Sequence, residues 1–256
     1  MMNWKQLISA KRFGMEEFHE ERQENRSEFQ RDYDRLIFSA PFRRLQNKTQ
    51  VFPLPGSVFV HNRLTHSLEV ASVGRSLGDD VAKALLERHP ELQDSFLPEI
   101  GSIVSAACLA HDLGNPPFGH SGEKAISTFF SEGKGVRLKE KQPNGEQLSP
   151  MEWEDLTHFE GNANAFRILT HQFEGRRKGG FVLTYTTLAS IVKYPFSSSL
   201  ARTKSKFGFF VSEEESFQKI ATELGLTLLN EHPLKYARHP LVYLVEAADD
   251  ICYQMM

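Results

Sequence analysis

Residues 110–123 read Ala-His-Asp-Leu-Gly-Asn-Pro-Pro-Phe-Gly-His-Ser-Gly-Glu. This stretch predicts the end of one helix, a turn and the start of the next helix. The apolar residues that precede it predict a buried helix, and Gly114 is a favoured residue just beyond a helix end. Two prolines then force a turn. Adjacent helical residues diverge by about 100°. His111 and Asp112 can therefore bind one cation together only at a helix end, which is where the pattern puts them.

The second half of the stretch predicts an acid/base pair. His120 and Glu123 are three residues apart, the spacing of two groups on one face of a new helix. The alternative is that His120 only caps that helix, but histidine is an uncommon N-cap residue. The stretch is therefore interpreted as two metal ligands, a rigid turn and an acid/base pair.

A His-Asp pair alone is more often a surface or capping feature than a metal site, so further ligands are needed. His66 lies upstream on a second helical pattern, and Asp249 lies downstream in an otherwise apolar helix. An acid in such a helix needs compensation, which a cation provides. Two imidazoles and two carboxylates suit Mn²⁺ or Mg²⁺, with Fe²⁺ as a third candidate. The neighbouring Asp250 is interpreted as an outer partner of the site or a salt-bridge residue.

Composition bounds the class of protein. The chain has 256 residues, 40% of them hydrophobic, so it can bury a substantial core. Its net charge of −3 argues against a globally basic nucleic-acid binder. Cys108 and Cys252 both lie in apolar patterns and predict buried thiols, not a disulfide framework. No run reaches the ~18 apolar residues of a membrane-spanning helix. We therefore expect a cytoplasmic protein with no membrane partner.

The hydrophobic periodicity predicts a mainly α fold, a helical bundle with a few short strands. Residues 1–28 read as a solvated charged arm, 131–150 as an exposed loop, and 196–212 as a flexible basic loop with a short strand. A Pro-Gly turn within residues 49–60 predicts a short hairpin. The predicted helices cover residues 62–87, 99–112, 122–130, 159–173, 184–192, 213–224 and from 241 onwards.

Six strings give the chain a resemblance to a known family. They are FQRDYDRLIFSAPFRRLQNKTQVFP (29–53), HNRLTHSLEV (61–70), AHDLGNPPFGHSGE (110–123), FEGNANAFRIL (159–169), VKYP (192–195) and EAADDICY (246–253). Their order resembles the HD-domain phosphohydrolases, and within them the bacterial deoxyguanosinetriphosphate triphosphohydrolases (dGTPases). The resemblance implies an HD-domain helical bundle, a single domain over residues 1–256 with its HD core at about 60–256. It also implies an N-terminal fragment that lacks the C-terminal part of the family.

The resemblance implies a metal-dependent hydrolase. Its substrate would be a deoxynucleoside triphosphate, with dGTP favoured, attacked at the α-phosphorus to give deoxynucleoside and tripolyphosphate. The implied metal ligands are His66, His111, Asp112 and Asp249, the last preferred to Asp250 because it stands four residues before Tyr253. His120 and Glu123 would be the catalytic pair.

The resemblance also assigns four substrate contacts. Gln50 would bond the sugar 3′-hydroxyl, Arg63 the phosphate nearest the sugar and Lys193 the more distal phosphates. Tyr253 would lie under the sugar and leave no room for a 2′-hydroxyl. Arg43 and Arg44 stay open, because an ion pair with Asp32 or Asp34 explains them as well as a nucleotide contact does.

Two other functions compete with this one. The chain is alternatively another HD-family phosphohydrolase, acting on nucleoside 5′-monophosphates or cyclic dinucleotides, or a nucleotide- or nucleic-acid-binding module without catalysis. Release of tripolyphosphate would distinguish a triphosphohydrolase from another HD-family phosphohydrolase. Ligand binding that survives metal removal would favour the binding module. The expected partners beyond the nucleotide are further copies of the chain, in a hexamer by resemblance, and single-stranded DNA as a candidate regulator.

Overall fold

The computed structural model describes residues 2–17, 26–49, 62–140, 142, 145–175, 178–200 and 206–254. Within these residues the fold is mainly helical, as the periodicity predicts. The α-helices are α1 (Trp4–Leu7), α2 (Glu28–Ile37), α3 (Ala40–Arg44), α4 (Arg63–Arg88), α5 (Ile100–Ala110), α6 (His120–Ser131), α7 (Pro150–Thr157), α8 (Gly161–Thr170), α9 (Tyr185–Ile191), α10 (Glu214–Glu223) and α11 (Val242–Gln254). Short 3-10 helices cover Leu45–Asn47, Pro90–Leu92, Leu97–Glu99, Lys134–Lys139, Ser198–Leu200 and Val211–Glu213.

Helices α4 and α5 pack against each other at the centre of the fold. Every residue of α5 is buried, and α4 presents a row of small residues to it. A Cβ at Gly78 would lie 2.7 Å from the Cα of Gly101 on α5. A side chain at this position would therefore push the two helices apart. Asn62 begins α4 by accepting hydrogen bonds from the backbone N–H groups of Leu64 and Thr65.

One hydrophobic cluster joins most of the helices. It runs from Leu7 near the N-terminus to Cys252 on α11 and includes the apolar residues of α5. Cys108 and Cys252 are both buried and free, as predicted. Among the described residues, no helix combines the length and apolar character needed to span a membrane.

The N-terminal segment differs from its prediction as a solvated arm. Leu7 and Ile8 are buried in the main cluster, and Arg12 is 1% exposed. The guanidinium of Arg12 donates to Asp32 at 2.7 Å and also pairs with Glu28. The prediction was wrong because the charge of this segment is matched by buried acids on α2, a pairing that sequence periodicity does not reveal.

The short strand predicted within residues 196–212 does not form in the described part of that segment, and the two strands that do form lie further along the chain. Strands β1 (Leu228–Asn230) and β2 (Lys235–Tyr236) form a small antiparallel pair between α10 and α11. The segment 196–212 contains two isolated bridges and two 3-10 helices in its described part. Residues 131–150 are partly helical, because Lys134–Lys139 forms a 3-10 helix. The hairpin predicted within 49–60 lies, apart from Thr49, outside the described residues.

The turn between α5 and α6 brings the two halves of the motif together. A Cβ at Gly114 would lie 2.0 Å from the carbonyl oxygen of Gly161, so only glycine lets this turn approach α8 so closely. Phe118 and Gly119 both have positive φ, 66° and 52°. Phe118 therefore holds a backbone conformation that costs a non-glycine residue of order 1 kcal/mol or more. This strained turn leads directly into α6, whose first residue is His120.

Candidate active site

Four side chains from three helices meet at the centre of the site. His66 comes from the first turn of α4, His111 and Asp112 follow the end of α5, and Asp249 lies on α11. His66 Nε2 lies 3.0 Å from Asp249 Oδ1, and His111 Nε2 lies 3.7 Å from the same oxygen. The two imidazole rings are 5.4 Å apart between centroids. The structure thus brings together all four residues that the sequence proposed as metal ligands.

The orientation of His111 suits a metal ligand. Its Nδ1–H donates to the carbonyl oxygen of Cys108 at 2.6 Å, so the lone pair of Nε2 points into the site. Ligand atoms of His66, His111 and Asp112 all lie within 4.8 Å of one another. Ligands on opposite sides of a small divalent cation are about 4 Å apart, from bond lengths of about 2 Å. The donor set therefore fits such a cation after small movements.

Asp112 is held in place by two neighbours. Its Oδ2 accepts from Arg63 at 2.5 Å and its Oδ1 accepts from the Asn115 amide at 2.5 Å. The carboxyl is 4% exposed, and such burial raises its pKa. The opposing charges of His111 and Arg63 outweigh burial, so the pKa of Asp112 lies below its usual value. The group is therefore an anion at neutral pH.

Asp249 has the same electrostatic character. Burial raises its pKa, but the hydrogen bond from His66 and the charge of His111 lower it more, so the net shift is downward. The adjacent Asp250 is exposed on the outer face of α11. The helical turn therefore directs one carboxylate of the pair into the site and the other into solvent.

His120 and Glu123 form a hydrogen-bonded pair on the rim of the site. His120 Nδ1 lies 2.8 Å from Glu123 Oε2, across one turn of α6. The His120 side chain is 85% exposed, while Glu123 is nearly buried. Glu123 thus fixes the Nδ1 side of the ring and leaves Nε2 accessible to a ligand. Gly119, not His120, is the N-cap residue of α6.

Glu123 is supported from two other elements. Its Oε1 accepts from the backbone N–H of Gly161 at 2.8 Å, and Lys206 Nζ lies 3.4 Å from its Oε2. Lys206 also pairs with the buried Glu160 at 2.8 Å. Burial raises the pKa of Glu123, but the bonds from His120 and Gly161 and the charge of Lys206 lower it by more, so the net shift is downward. Glu123 is therefore an anion at neutral pH.

These groups line one cavity of about 270 Å³. Its wall next to the candidate metal ligands comes from α11, the end of α9 and the residues that follow α9, which include Lys193. The Lys193 ammonium pairs with Glu246 at 2.9 Å. Burial lowers the pKa of Lys193, but the hydrogen bond to Glu246 raises it more, so the net shift is upward. The cavity lining includes His111, Asp112, Asn115, His120, Glu123, Glu160, Lys193, Tyr194, Lys206, Glu246 and Asp249.

The predicted substrate contacts are placed unequally. Lys193 lines the cavity, whereas Arg63 is buried behind it on Asp112. Tyr253 lies one turn beyond Asp249, but its side chain is 72% exposed and does not belong to the described lining of the cavity. Gln50 lies outside the described residues.

Arg43 and Arg44 are both exposed on α3. Asp32, which the sequence offered as an ion-pair partner for them, is paired with Arg12 instead. Asp34 is paired with Arg26. In the described part of the chain these two acids therefore pair with Arg12 and Arg26, while Arg43 and Arg44 on α3 face solvent.

Sequence reasoning missed several polar residues of the cavity, among them Asn115, Glu160, Lys206 and Glu246. Asn115 stands inside the motif that was singled out, and its amide contact with Asp112 would follow from the three-residue spacing. Glu160 and Lys206 come from different segments, and Glu246 lies one turn before Asp249. The last of these was detectable as a second acid on the same helical face, whereas the Lys206–Glu160 pair left no local signal.

Comparison with known proteins finds a family match that includes most of the candidate site. The HD domain family matches residues 63–179, which include His66, His111, Asp112, His120 and Glu123. A deoxyguanosinetriphosphate triphosphohydrolase-like protein of Synechocystis is 46% identical over all of this chain and 59% of its own length. One of Pseudomonas aeruginosa is 47% identical over all of this chain and 56% of its own length.

A less similar relative is named as the triphosphohydrolase itself, without the suffix "-like". The deoxyguanosinetriphosphate triphosphohydrolase of Yersinia enterocolitica is 37% identical over 98% of this chain and 53% of its own length. The chain therefore spans a little more than half the length of the curated relatives it matches.

Proposed function

The chain belongs to the HD-domain family of deoxyguanosinetriphosphate triphosphohydrolase-like proteins, and on that premise we propose that it hydrolyses a deoxynucleoside triphosphate, with dGTP preferred. The products would be the deoxynucleoside and inorganic tripolyphosphate. In this reaction water attacks the α-phosphorus and the bond from that phosphorus to the sugar 5′-oxygen breaks. The activity, substrate and partners of the whole protein are all part of this proposal.

One observation carries the proposal: a cluster of metal-binding donors and a His-Glu pair face the same cavity. His111, Asp112 and Asp249 line it on one side, and His120 and Glu123 on another. Hydrolysis of a phosphate ester needs positive charge near the phosphorus and a base for the attacking water. The two groups supply these two requirements within one cavity.

His66, His111, Asp112 and Asp249 would hold the cation. Mn²⁺ and Mg²⁺ are the proposed ions, with Fe²⁺ as a third, because mixed imidazole and carboxylate sets suit these metals. A divalent cation in this position supplies positive charge against the phosphate oxygens. Arg63 already gives Asp112 one positive neighbour at 2.5 Å, and we propose that it also reaches the phosphate nearest the sugar.

His120 would act as the general base. Glu123 accepts the hydrogen bond from Nδ1 and so favours the tautomer in which Nε2 carries the free lone pair. The exposed Nε2 would take a proton from the attacking water, and the sugar 5′-oxygen would take a proton from solvent as the deoxynucleoside leaves. Gly161 and Lys206 keep Glu123 ionised and fixed during this transfer.

Lys193 and Lys206 would bind the more distal phosphates. Both ammonium groups line the cavity and both have a raised pKa, because bonds to acidic partners outweigh burial. Gln50 is proposed to bond the sugar 3′-hydroxyl and Tyr253 to exclude a 2′-hydroxyl, both from the family resemblance. These two assignments rest on sequence position.

The wider properties follow the resemblance. We propose that residues 1–256 belong to one HD-type domain, supported by the hydrophobic cluster that runs from Leu7 to Cys252. Assembly of several copies, as a hexamer, and regulation by single-stranded DNA are proposed on the same basis. A cytoplasmic location is consistent with the two buried free thiols.

Incubation with nucleotides tests the proposal directly. The protein is mixed with each of the four dNTPs, GTP and a nucleoside monophosphate in the presence of Mn²⁺ or Mg²⁺, and the products are separated by anion-exchange chromatography. We expect deoxyguanosine and tripolyphosphate, with loss of product after metal chelation. Release of orthophosphate or pyrophosphate from dGTP, or hydrolysis of the monophosphate alone, would contradict the proposed reaction.

A further inference from the structure

We propose that Glu246 is a positioning residue that fixes the Lys193 ammonium in the cavity for a substrate phosphate. The inference rests on the proposed function, because it takes Lys193 as a phosphate-binding group. Glu246 contacts the cationic side chains of Lys193 and Arg238, and its proposed effect on the substrate passes through Lys193.

Glu246 bridges two cations with its two carboxylate oxygens. Oε1 lies 2.9 Å from Lys193 Nζ, and Oε2 lies 2.9 Å from Arg238 NH1. The carboxylate is 22% exposed and lines the cavity together with three of the proposed metal ligands, His111, Asp112 and Asp249. Since one anion is shared by two cations, the trio keeps a net positive charge. Lys193 therefore still attracts a phosphate while its position is restrained.

Glu246 is itself restrained from the far side. The Arg238 guanidinium lies 5.6 Å from the ring centroids of both Tyr194 and Tyr243, within the range of cation–π contacts. Tyr243, Glu246 and Asp249 follow one another at intervals of three residues on α11. The helix therefore sets the distance between the carboxylate that holds Lys193 and the proposed metal ligand.

This arrangement lowers the entropic cost of binding a phosphate. A lysine has a flexible stem and three N–H donors. One donor bonds Glu246, which leaves two for a phosphate oxygen. Because the stem is already ordered, less rotamer freedom is lost when the substrate arrives. The opposite role is that Glu246 competes with phosphate for Lys193, and the two roles predict opposite changes in affinity.

A double-mutant cycle distinguishes these roles. The variants are Glu246→Gln, Lys193→Gln and the double variant, with Asp250→Asn as the matched control, an exposed carboxylate on the same helix. KM and kcat are measured with dGTP, and Kd for tripolyphosphate is measured by calorimetry so that the result does not depend on turnover. Mn²⁺ affinity and circular dichroism report on the metal site and the fold.

We expect Glu246→Gln to raise KM and the tripolyphosphate Kd at least about threefold, within the range of couplings between contacting residues. The kcat and the Mn²⁺ affinity of Glu246→Gln should change less. The control Asp250→Asn should change neither KM nor the tripolyphosphate Kd. In the Lys193→Gln background, Glu246→Gln should have no further effect on KM, because its action passes through Lys193.

Three results would overturn the inference. An unchanged or lowered KM in Glu246→Gln, while Lys193→Gln raises it, would show that Glu246 does not position Lys193. An equal effect of Glu246→Gln in both backgrounds would show that it acts by another route. An unchanged KM and tripolyphosphate Kd in Lys193→Gln would contradict the proposed phosphate role of Lys193 and this inference with it, whereas the first two results leave that role intact.

Discussion

His66 Nε2 lies 3.0 Å from Asp249 Oδ1, although 183 residues separate the two in sequence. His66 lies in the first turn of α4, and Asp249 lies in the second half of α11. The contact places an imidazole and a carboxylate beside His111 and Asp112, which follow α5. The proposed metal site therefore forms only when helices that are far apart in the sequence pack together.

The neighbouring acids on α11 provide a first prediction. Asp249→Ala should weaken Mn²⁺ binding by more than the roughly 10- to 100-fold that loss of an outer partner of a metal site costs. The reason is that a donor oxygen is removed beside two imidazoles. Isothermal titration calorimetry measures the change. Asp250→Ala is the matched control and should bind normally, because its carboxylate is exposed. Equal Mn²⁺ affinity in the two variants would remove Asp249 from the ligand set.

The exposed imidazole on α6 leads to a second prediction. His120→Ala should lower kcat for dGTP by roughly 10²- to 10⁴-fold, the size of a general acid/base contribution, with little change in Mn²⁺ or nucleotide affinity. Little destabilisation is expected, because the His120 side chain is 85% exposed. Single-turnover kinetics and equilibrium binding separate the two effects. His89→Ala, another exposed histidine paired with an acid, is the control. Weaker nucleotide binding with an unchanged kcat would make His120 a binding residue.

The helices that carry the site were predictable from the sequence, and several contacts within the site were not. Periodicity and helix-ending residues were sufficient for α4, α5, α6 and α11, because an apolar stripe is a property of one segment. The pairing of Arg63 with Asp112 and of Lys206 with Glu160 was not predictable in this way. Each pair joins segments that meet only through packing, so no local spacing records it.

The N-terminal segment shows the same limit. Its charged residues predicted a solvated arm, yet Arg12 is buried against Glu28 and Asp32. A buried ion pair and an exposed charge look alike in a sequence, because the partner alone decides between them. The adjacent position of His111 and Asp112, by contrast, limited the site to a helix end from geometry, and the structure places them there.

Tyr253 supplies a third prediction. If it excludes a 2′-hydroxyl, Tyr253→Ala should narrow the ratio of kcat/KM for dGTP over GTP, by at most ~10²-fold because a pocket rejects an added hydroxyl only modestly. The ring is 72% exposed, so loss of stability should be small in this variant. Tyr253→Phe keeps the ring and should preserve the ratio. An unchanged ratio in a folded Tyr253→Ala protein would exclude the steric role.

The buried His239 makes the stability depend on pH. Burial lowers the pKa of its imidazole to about 4, and its Nε2–H donates to the carbonyl oxygen of Leu7 at 3.1 Å. Between pH 6.5, the ordinary value, and about 4, the unfolded chain binds more protons than the folded protein. The contribution of His239 is therefore complete above pH 6.5 and is lost as the pH falls towards 4.

This leads to the fourth prediction. Replacing His239 by Gln should flatten the pH dependence of the free energy of unfolding by at most about 1.4 kcal/mol per pH unit in that window. Urea titrations from pH 7 to pH 4 measure it. Asp155, whose pKa burial raises to about 6, acts in the opposite direction but is present in both proteins. Parallel curves for wild type and variant would contradict the account of His239.

Water is proposed to attack the α-phosphorus of a deoxynucleoside triphosphate in this cavity. Hydrolysis of dGTP in ¹⁸O-labelled water, followed by mass spectrometry of both products, tests it most directly. The account predicts that one ¹⁸O atom enters the tripolyphosphate and none enters the deoxyguanosine, with no labelled product from the Asp249→Ala variant. Label in the deoxyguanosine, or in orthophosphate released from the γ position, would contradict it.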